Sequence, residues 1–230
     1  MLEAFGLAWL AGIIGSVLTD SLKERLKPAD SDENARNLGF ALFERLRDIK
    51  SETDSFVVAL GEYASLVEFG VSDAVQQLGT MPGPKEGSDS QSQLTVEEAA
   101  AERVQLLRIA TGPDGPTAAD VAVVRSQSTL WKTASDLRRA LEALEPALRE
   151  IDPQLAIHQP DVSDAISLYV QSRGLVLAQL EDLAWHTSAE SSGELRKIVV
   201  QARDNQQVID GAIREFRAFL ASEFAFKESF

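Results

Sequence analysis

Apolar residues recur along the chain at spacings of three and four, and this period constrains the fold more than any other feature. The clearest run begins at Leu195 and ends at Leu220, and one of its positions holds the polar Gln206. Its members are Leu195, Val199, Ala202, Gln206, Ile209, Ile213, Phe216 and Leu220. Residues at this spacing lie on one face of an α-helix. The run therefore predicts a long helix that packs against other helices.

Four further runs follow the same period. They are Leu38, Leu42, Leu46 and Ile49; Phe56, Leu60, Tyr63, Val67 and Val71; Leu130, Ala134, Leu137, Leu141, Leu144, Leu148 and Ile151; and Val162, Ile166, Tyr169, Val176, Leu180 and Leu183. We interpret the first two as a pair of helices, and we expect a kink or a break at Pro146. No segment alternates with period two for long enough to require a sheet. The prediction is an all-α fold, a single bundle of about six or seven helices over residues 1–230.

Local signals indicate where these helices begin and where the chain turns. Thr95–Glu98 reads as a capping box, Thr117 precedes Asp120, and Ser191–Ser192 are candidate N-caps. The stretch 79–93 is rich in Pro, Gly and Ser, and we expect a flexible loop there. A shorter break, TGPDGP, occupies residues 111–116.

The charge balance and the missing cysteines exclude several classes of function. The formal net charge is -14 and the pI is about 4.6, which argues against nucleic acid as a partner because phosphate binding needs excess Lys and Arg. The chain has no cysteine, so it has neither disulfides nor thiolate nucleophiles, and this fits a cytoplasmic location. Only two histidines are present, which excludes a His-rich metal site.

The N-terminal segment 1–27 differs from the rest of the chain. From Ala4 to Thr19 there are sixteen residues without a charge. As a helix this stretch is roughly 24 Å long, whereas the hydrocarbon core of a bilayer is about 30 Å thick. We expect an apolar helix with a lipid-facing set, a small-residue set for helix packing and a basic set for headgroups. These sets are Phe5, Leu7, Trp9, Leu10, Ile13, Ile14 and Val17; Ala8, Gly12, Gly15 and Ser16; and Lys23, Arg25 and Lys27.

The start of the chain, MLEAFGLA over residues 1–8 followed by LAG over residues 10–12, resembles the N-terminus of fungal HeLo domains. These are all-helical, membrane-targeting cell-death domains of about this length. In that family the N-terminal apolar segment is held in the soluble fold and is then expelled to permeabilise the membrane. The resemblance implies a non-enzymatic effector that self-associates or binds a protein partner. It also implies movement from the cytoplasm to membrane lipid on activation.

Two alternatives remain open. In the first, the chain is a soluble interaction or adaptor module, and residues 1–26 form a buried core helix. In the second, the chain is an enzyme with a carboxylate-bound metal inside the bundle, and Glu97, Glu98 and Glu102, or Glu142 and Glu145, are the candidate ligands. A charged outer face explains these carboxylates better, because a bundle needs such a face and no Glu-x-x-His motif accompanies them. We therefore expect no catalytic residue, no metal and no cofactor.

Overall fold

The computed structural model describes residues 32–68, 75, 96–144, 146–147 and 189–224. Within these residues there are four α-helices, one short 3₁₀ turn and no β-strand. The helices are α1 (Asp32–Glu68), α2 (Val96–Thr111), α3 (Ala118–Glu142) and α4 (Ala189–Phe224). The predicted all-α class is confirmed. The N-terminal segment 1–27, the run from Val162 to Leu183 and the loop 79–93 lie outside the described residues.

The pair of helices predicted for residues 38–71 is wrong, because α1 runs without interruption from Asp32 to Glu68. The polar stretch between the two runs contains neither Gly nor Pro, and its side chains form hydrogen bonds inside the helix. Thr53 Oγ1 donates to the Ile49 carbonyl at 2.8 Å, and Lys50 Nζ lies 2.6 Å from Asp54 Oδ2. Thr53 is fully buried and continues the apolar face from Ile49 to Phe56 at spacings of four and three. The two runs are therefore one face.

The connection between α2 and α3 forms where the sequence predicts a break. The 3₁₀ turn Gly112–Asp114 follows α2, and Gly112 and Gly115 have φ angles of 62° and 69°. Glycine adopts these left-handed angles at little cost. Thr117 and Asp120 then exchange hydrogen bonds, with Thr117 N at 3.1 Å from Asp120 Oδ2 and Asp120 N at 3.1 Å from Thr117 Oγ1. This reciprocal cap starts α3 and confirms the predicted start signal.

The other predicted boundaries agree with the structure at two of three positions. Helix α2 begins at Val96, directly after Thr95. Helix α3 ends at Glu142. In a continuous helix the ring of Pro146 would clash with the carbonyl of Glu142, four residues earlier, so the helix stops close to the predicted break. The start of α4 was misplaced: it begins at Ala189, so the serines predicted as N-caps lie in its first turn. The sequence signal therefore locates the start of the helix only to within a few residues.

Helix α1 is the centre of the described assembly, because it packs against both α3 and α4, while α2 packs against α3. The core draws on all four helices, and its largest fully buried side chains are Tyr63, Phe56, Phe216, Leu42, Leu46, Ile49 and Leu60. The α4 face predicted from the sequence is confirmed, since all its apolar members are buried and Gln206 is partly buried. Phe216 and Phe219 stack with ring centroids 6.1 Å apart.

Candidate functional site

The site residues predicted from the sequence all belong to the N-terminal segment 1–27, which lies outside the described residues. This applies to Phe5, Leu7, Trp9, Leu10, Ile13, Ile14 and Val17, to Ala8, Gly12, Gly15 and Ser16, and to Lys23, Arg25 and Lys27. Within the described part, the most unusual chemistry lies where α2 meets α3. We call Tyr63, Arg103, Gln127 and Trp131 the Arg103 cluster.

Arg103 of α2 is buried, with only 4% of its surface exposed. The guanidinium carbon lies 3.7 Å from the centroid of the Trp131 ring on α3. Nη1 of the same arginine donates a hydrogen bond to Gln127 Oε1 at 3.3 Å. Gln127 and Trp131 are one helical turn apart, so α3 presents an amide oxygen and an aromatic face together. A desolvated cation over a tryptophan face contributes about 2 kcal/mol, and this offsets part of the cost of burying the charge.

Gln127 and Tyr63 extend the cluster from α3 towards α1. Gln127 is fully buried and Tyr63 is 1% exposed. Within the described part of the chain, the Tyr63 hydroxyl and Gln127 Nε2 have no hydrogen-bond partner of normal geometry. Burial raises the pKa of the Tyr63 hydroxyl, and the neighbouring Gln127 side chain opposes this rise without making a well-aligned hydrogen bond. Tyr63 is therefore protonated across the physiological range.

The four side chains of the Arg103 cluster do not provide acid–base chemistry at neutral pH. Arginine remains protonated in proteins, the tyrosine pKa is raised, and neither the glutamine amide nor the indole titrates. Groups of this kind bind and orient. The polar contacts of the cluster join α2 to α3 inside a largely apolar core, with Tyr63 of α1 beside them, so the role that fits the cluster is to hold α2 against α3.

A second set of polar contacts joins α1 to α4, and we call it the α1–α4 seam. Lys50 Nζ lies 3.2 Å from Asp210 Oδ1, and Gln206 Nε2 donates to Asp54 Oδ1 at 2.5 Å. The Lys50 ammonium is held chiefly by Asp54, and burial opposes the resulting rise in its pKa, to which Asp210 also contributes. The seam runs beside the apolar α4 face and fixes how the two long helices align.

A third polar group lies between α1 and α3. On α3, Asp136 Oδ1 lies 2.5 Å from Lys132 Nζ and 2.6 Å from Arg139 Nη2. Glu52 of α1 faces this triad. Burial raises the pKa of Glu52, the charge of Asp136 raises it further, and Lys132 and Arg139 lower it. The carboxylate of Glu52 is therefore less favourable in the folded chain than in water.

Three of the carboxylates considered as metal ligands do not form a cluster in the described part, and the pair Glu142 and Glu145 is not tested because Glu145 lies outside the described residues. Glu97, Glu98 and Glu102 are exposed on α2, and no group of three or more His, Cys, Asp or Glu side chains among the described residues has the geometry to hold a metal ion. The same residues contain no helix that is long and apolar enough to cross a bilayer.

Sequence reasoning missed the Arg103 cluster, although one signal was present. Arg103 lies between Ala100 and Leu107, at spacings of three and four, so a cation occupies a position where the pattern favours an apolar residue. A charged residue at such a position signals a buried polar partner on a neighbouring helix. Gln206 is the same kind of signal on α4, and its partner is Asp54.

The described part of the chain thus defines an all-α protein with polar contacts at each helix interface. The chain matches no protein-family model, and neither a curated protein nor a solved structure is significantly similar to it.

Proposed function

We propose that this protein is a regulated membrane-permeabilising effector domain of cell death or defence, and that it is not an enzyme. Its N-terminal segment 1–27 is an apolar helix that inserts into membrane on activation. The bundle has six or seven helices and spans residues 1–230. The observation that carries the proposal is the uncharged stretch Ala4–Thr19, with Lys23, Arg25 and Lys27 within the next eight residues, in a chain whose net charge is -14.

The apolar stretch needs to be covered by something other than water. Burying one large aliphatic or aromatic side chain contributes about 1.5–3 kcal/mol, and the lipid-facing set has seven members. Two environments provide that burial, the core of the helical bundle and the hydrocarbon of a bilayer. The glycines reduce helix stability in water by about 1 kcal/mol each relative to alanine. In lipid, small residues allow close helix packing, which favours self-association after insertion.

The basic set explains how an acidic protein would reach a membrane. Lys23, Arg25 and Lys27 lie within eight residues of the end of the apolar stretch and outnumber the acidic Asp20 and Glu24 there, close to where a headgroup layer would lie if the stretch entered lipid. Cationic side chains near an anionic leaflet contribute about 1 kcal/mol each. The protein would accordingly rest in the cytoplasm and move to the membrane when the segment is released.

Vesicle leakage tests the proposal directly. We expect the full chain to release a trapped dye from vesicles of phosphatidylcholine and phosphatidylserine at neutral or acidic pH. Leu10→Asp or Ile14→Asp should abolish leakage, because a carboxylate at the centre of an inserted helix costs about 3 kcal/mol or more. Ser21→Asp is the matched control, since it adds the same charge outside the apolar stretch, and it should leak like the parent. Absence of leakage by the parent under both conditions would contradict the proposal.

A soluble interaction module with residues 1–26 as a core helix is the second candidate. It is favoured by the continuous hydrophobic core shared by α1, α2, α3 and α4, to which an apolar helix could be added as one more layer. This candidate predicts that Leu10→Asp and Ile14→Asp lower the melting temperature strongly, whereas Ser21→Asp does not. Under the membrane proposal, by contrast, the same variants keep a cooperative melting transition and lose leakage.

A further inference from the structure

The buried face of α2 has a cation at its centre. Ala100, Arg103 and Leu107 are its buried residues, with Val104 and Leu106 partly buried beside them. The face of α3 that receives Arg103 presents Trp131 and Gln127. Among the described helices, α3 is the main neighbour of α2, whereas α1 packs against two helices.

A polar contact of this kind separates more easily than an apolar one. When two apolar faces part, both expose surface that water solvates poorly. When a guanidinium leaves an amide oxygen and an aromatic face, water replaces the hydrogen bond and restores the hydration of the charge. The fully buried residues of α1 and α3 include Phe56, Leu60, Val124 and Leu130 of the shared hydrophobic core, whereas the charged side chains between these two helices are only partly buried. The pairing of α1 with α3 therefore depends mainly on apolar burial.

The connection between α2 and α3 allows α3 to keep its own N-terminal cap when α2 moves. The first turn of α3 is closed by the reciprocal hydrogen bonds between Thr117 and Asp120, both of which follow the 3₁₀ turn. Gly112 and Gly115, with their left-handed angles, lie between the two helices. Glycines permit a wide range of backbone angles, so α2 can change direction at this connection while α3 keeps its cap.

We propose that α2 is a releasable helix, latched to α3 by the stacking of the Arg103 guanidinium on Trp131 and by its hydrogen bond to Gln127. Release of α2 uncovers the Trp131–Gln127 face of α3 and leaves the pairing of α1 with α3 and α4 in place. The release of α2 is independent of the membrane proposal, because it concerns helices other than the N-terminal segment and its test contains no lipid.

Native-state hydrogen exchange of the full chain, followed by mass spectrometry of its peptides, tests the latch. In the parent protein, we expect amides of residues 96–111 to exchange at least tenfold faster than the α1 amides of residues 56–67. Arg103→Ala removes the guanidinium without supplying an apolar side chain of similar size, so it should accelerate exchange in residues 96–111 by a further tenfold or more and leave α1 and α4 unchanged. Arg108→Ala is the matched control, because Arg108 is exposed on the same helix, and it should change nothing.

A second variant tests the same contact if Arg103→Ala does not fold. Trp131→Phe retains an aromatic ring with a weaker face, and we expect a smaller acceleration confined to residues 96–111. Acceleration spread equally over α1, α2 and α4 would overturn the latch, because the contact would then belong to the global core. Unchanged exchange in α2, or parental exchange of α2 as slow as that of α1, would also overturn it.

Discussion

Gln206 Nε2 donates a hydrogen bond to Asp54 Oδ1 at 2.5 Å, although the two residues are 152 positions apart. Further along the same helices, Arg196 of α4 is bonded to Glu68 of α1. The earlier residue of α4 thus meets the later residue of α1, which makes the two helices antiparallel. The polar Gln206 within an apolar run is explained by this register, since it reaches a carboxylate at the edge of the interface.

The antiparallel register predicts which positions can be cross-linked. The chain has no native cysteine, so pairs of cysteines can be introduced without interference. We expect Glu68→Cys with Arg196→Cys to react with a short bis-maleimide in the folded protein, which changes its mobility on a denaturing gel. Glu68→Cys with Arg214→Cys is the control, because position 214 lies roughly 27 Å further along α4. Cross-linking of the control pair within a monomer would contradict the register.

The same substitution at a buried and at an exposed isoleucine should change the free energy of unfolding by very different amounts. Ile209 of α4 is fully buried, and Ile109 of α2 is 72% exposed. We expect Ile209→Ala to reduce the free energy of unfolding by about 2–5 kcal/mol, because it removes buried methyl groups and leaves a cavity. The same substitution at Ile109 should change it by about 0.5 kcal/mol or less. Urea denaturation measures both, and equal effects would contradict the assigned burial.

Replacing glycine by alanine should have opposite effects on stability in α4 and in the connection before α3. Gly211 lies inside α4 with open space where a Cβ would be placed, and Gly115 has a φ of 69° and a ψ of 165°. We expect Gly211→Ala to stabilise the protein by about 0.5–1 kcal/mol, since alanine favours helix. Gly115→Ala should destabilise it by about 1–3 kcal/mol, because L residues avoid that region. Calorimetric melting tests the pair, and the prediction fails if both variants shift the midpoint in the same direction.

Glu52 gives the stability a pH dependence with a defined sign. Its pKa is raised in the fold, chiefly by burial and then by Asp136. Folding therefore favours the protonated form of Glu52, which adds to the free energy of unfolding at pH values below the ordinary pKa of glutamate. This added stability is lost as the pH rises through the raised pKa. Glu52→Gln, which stays neutral, should melt higher than the parent at roughly pH 7, and the difference should shrink towards roughly pH 3.

The control for this prediction is Glu62→Gln on the exposed side of α1. It removes the same charge without the burial that raises the pKa of Glu52. We expect its melting temperature to follow the parent at both pH values. A Glu52→Gln variant that melts lower than the parent at neutral pH would show that the carboxylate makes a stabilising contact instead.

Sequence periodicity predicted the helical faces well, because each face depends on neighbours three and four residues away. The apolar members of the α4 run are buried, and the Thr117–Asp120 cap starts α3 as expected. The same reasoning failed across residues 50–55, where two apolar runs were interpreted as two separate helices. Hydrogen bonds inside the helix, such as that from Thr53 to Ile49, make such a stretch compatible with a continuous α1.

The sequence by itself determined the all-α class, the apolar faces and the cap of α3, because these follow from local spacing and local hydrogen bonds. Only the tertiary structure decided that α1 pairs with α3 and α4, that α4 runs antiparallel to α1, and that Arg103 is buried. An arginine is tolerated inside a bundle only where another helix supplies partners for its charge. Gln127, 24 positions further along the chain, does so for Arg103. No local pattern contains that pairing, since it depends on how α3 is placed against α2.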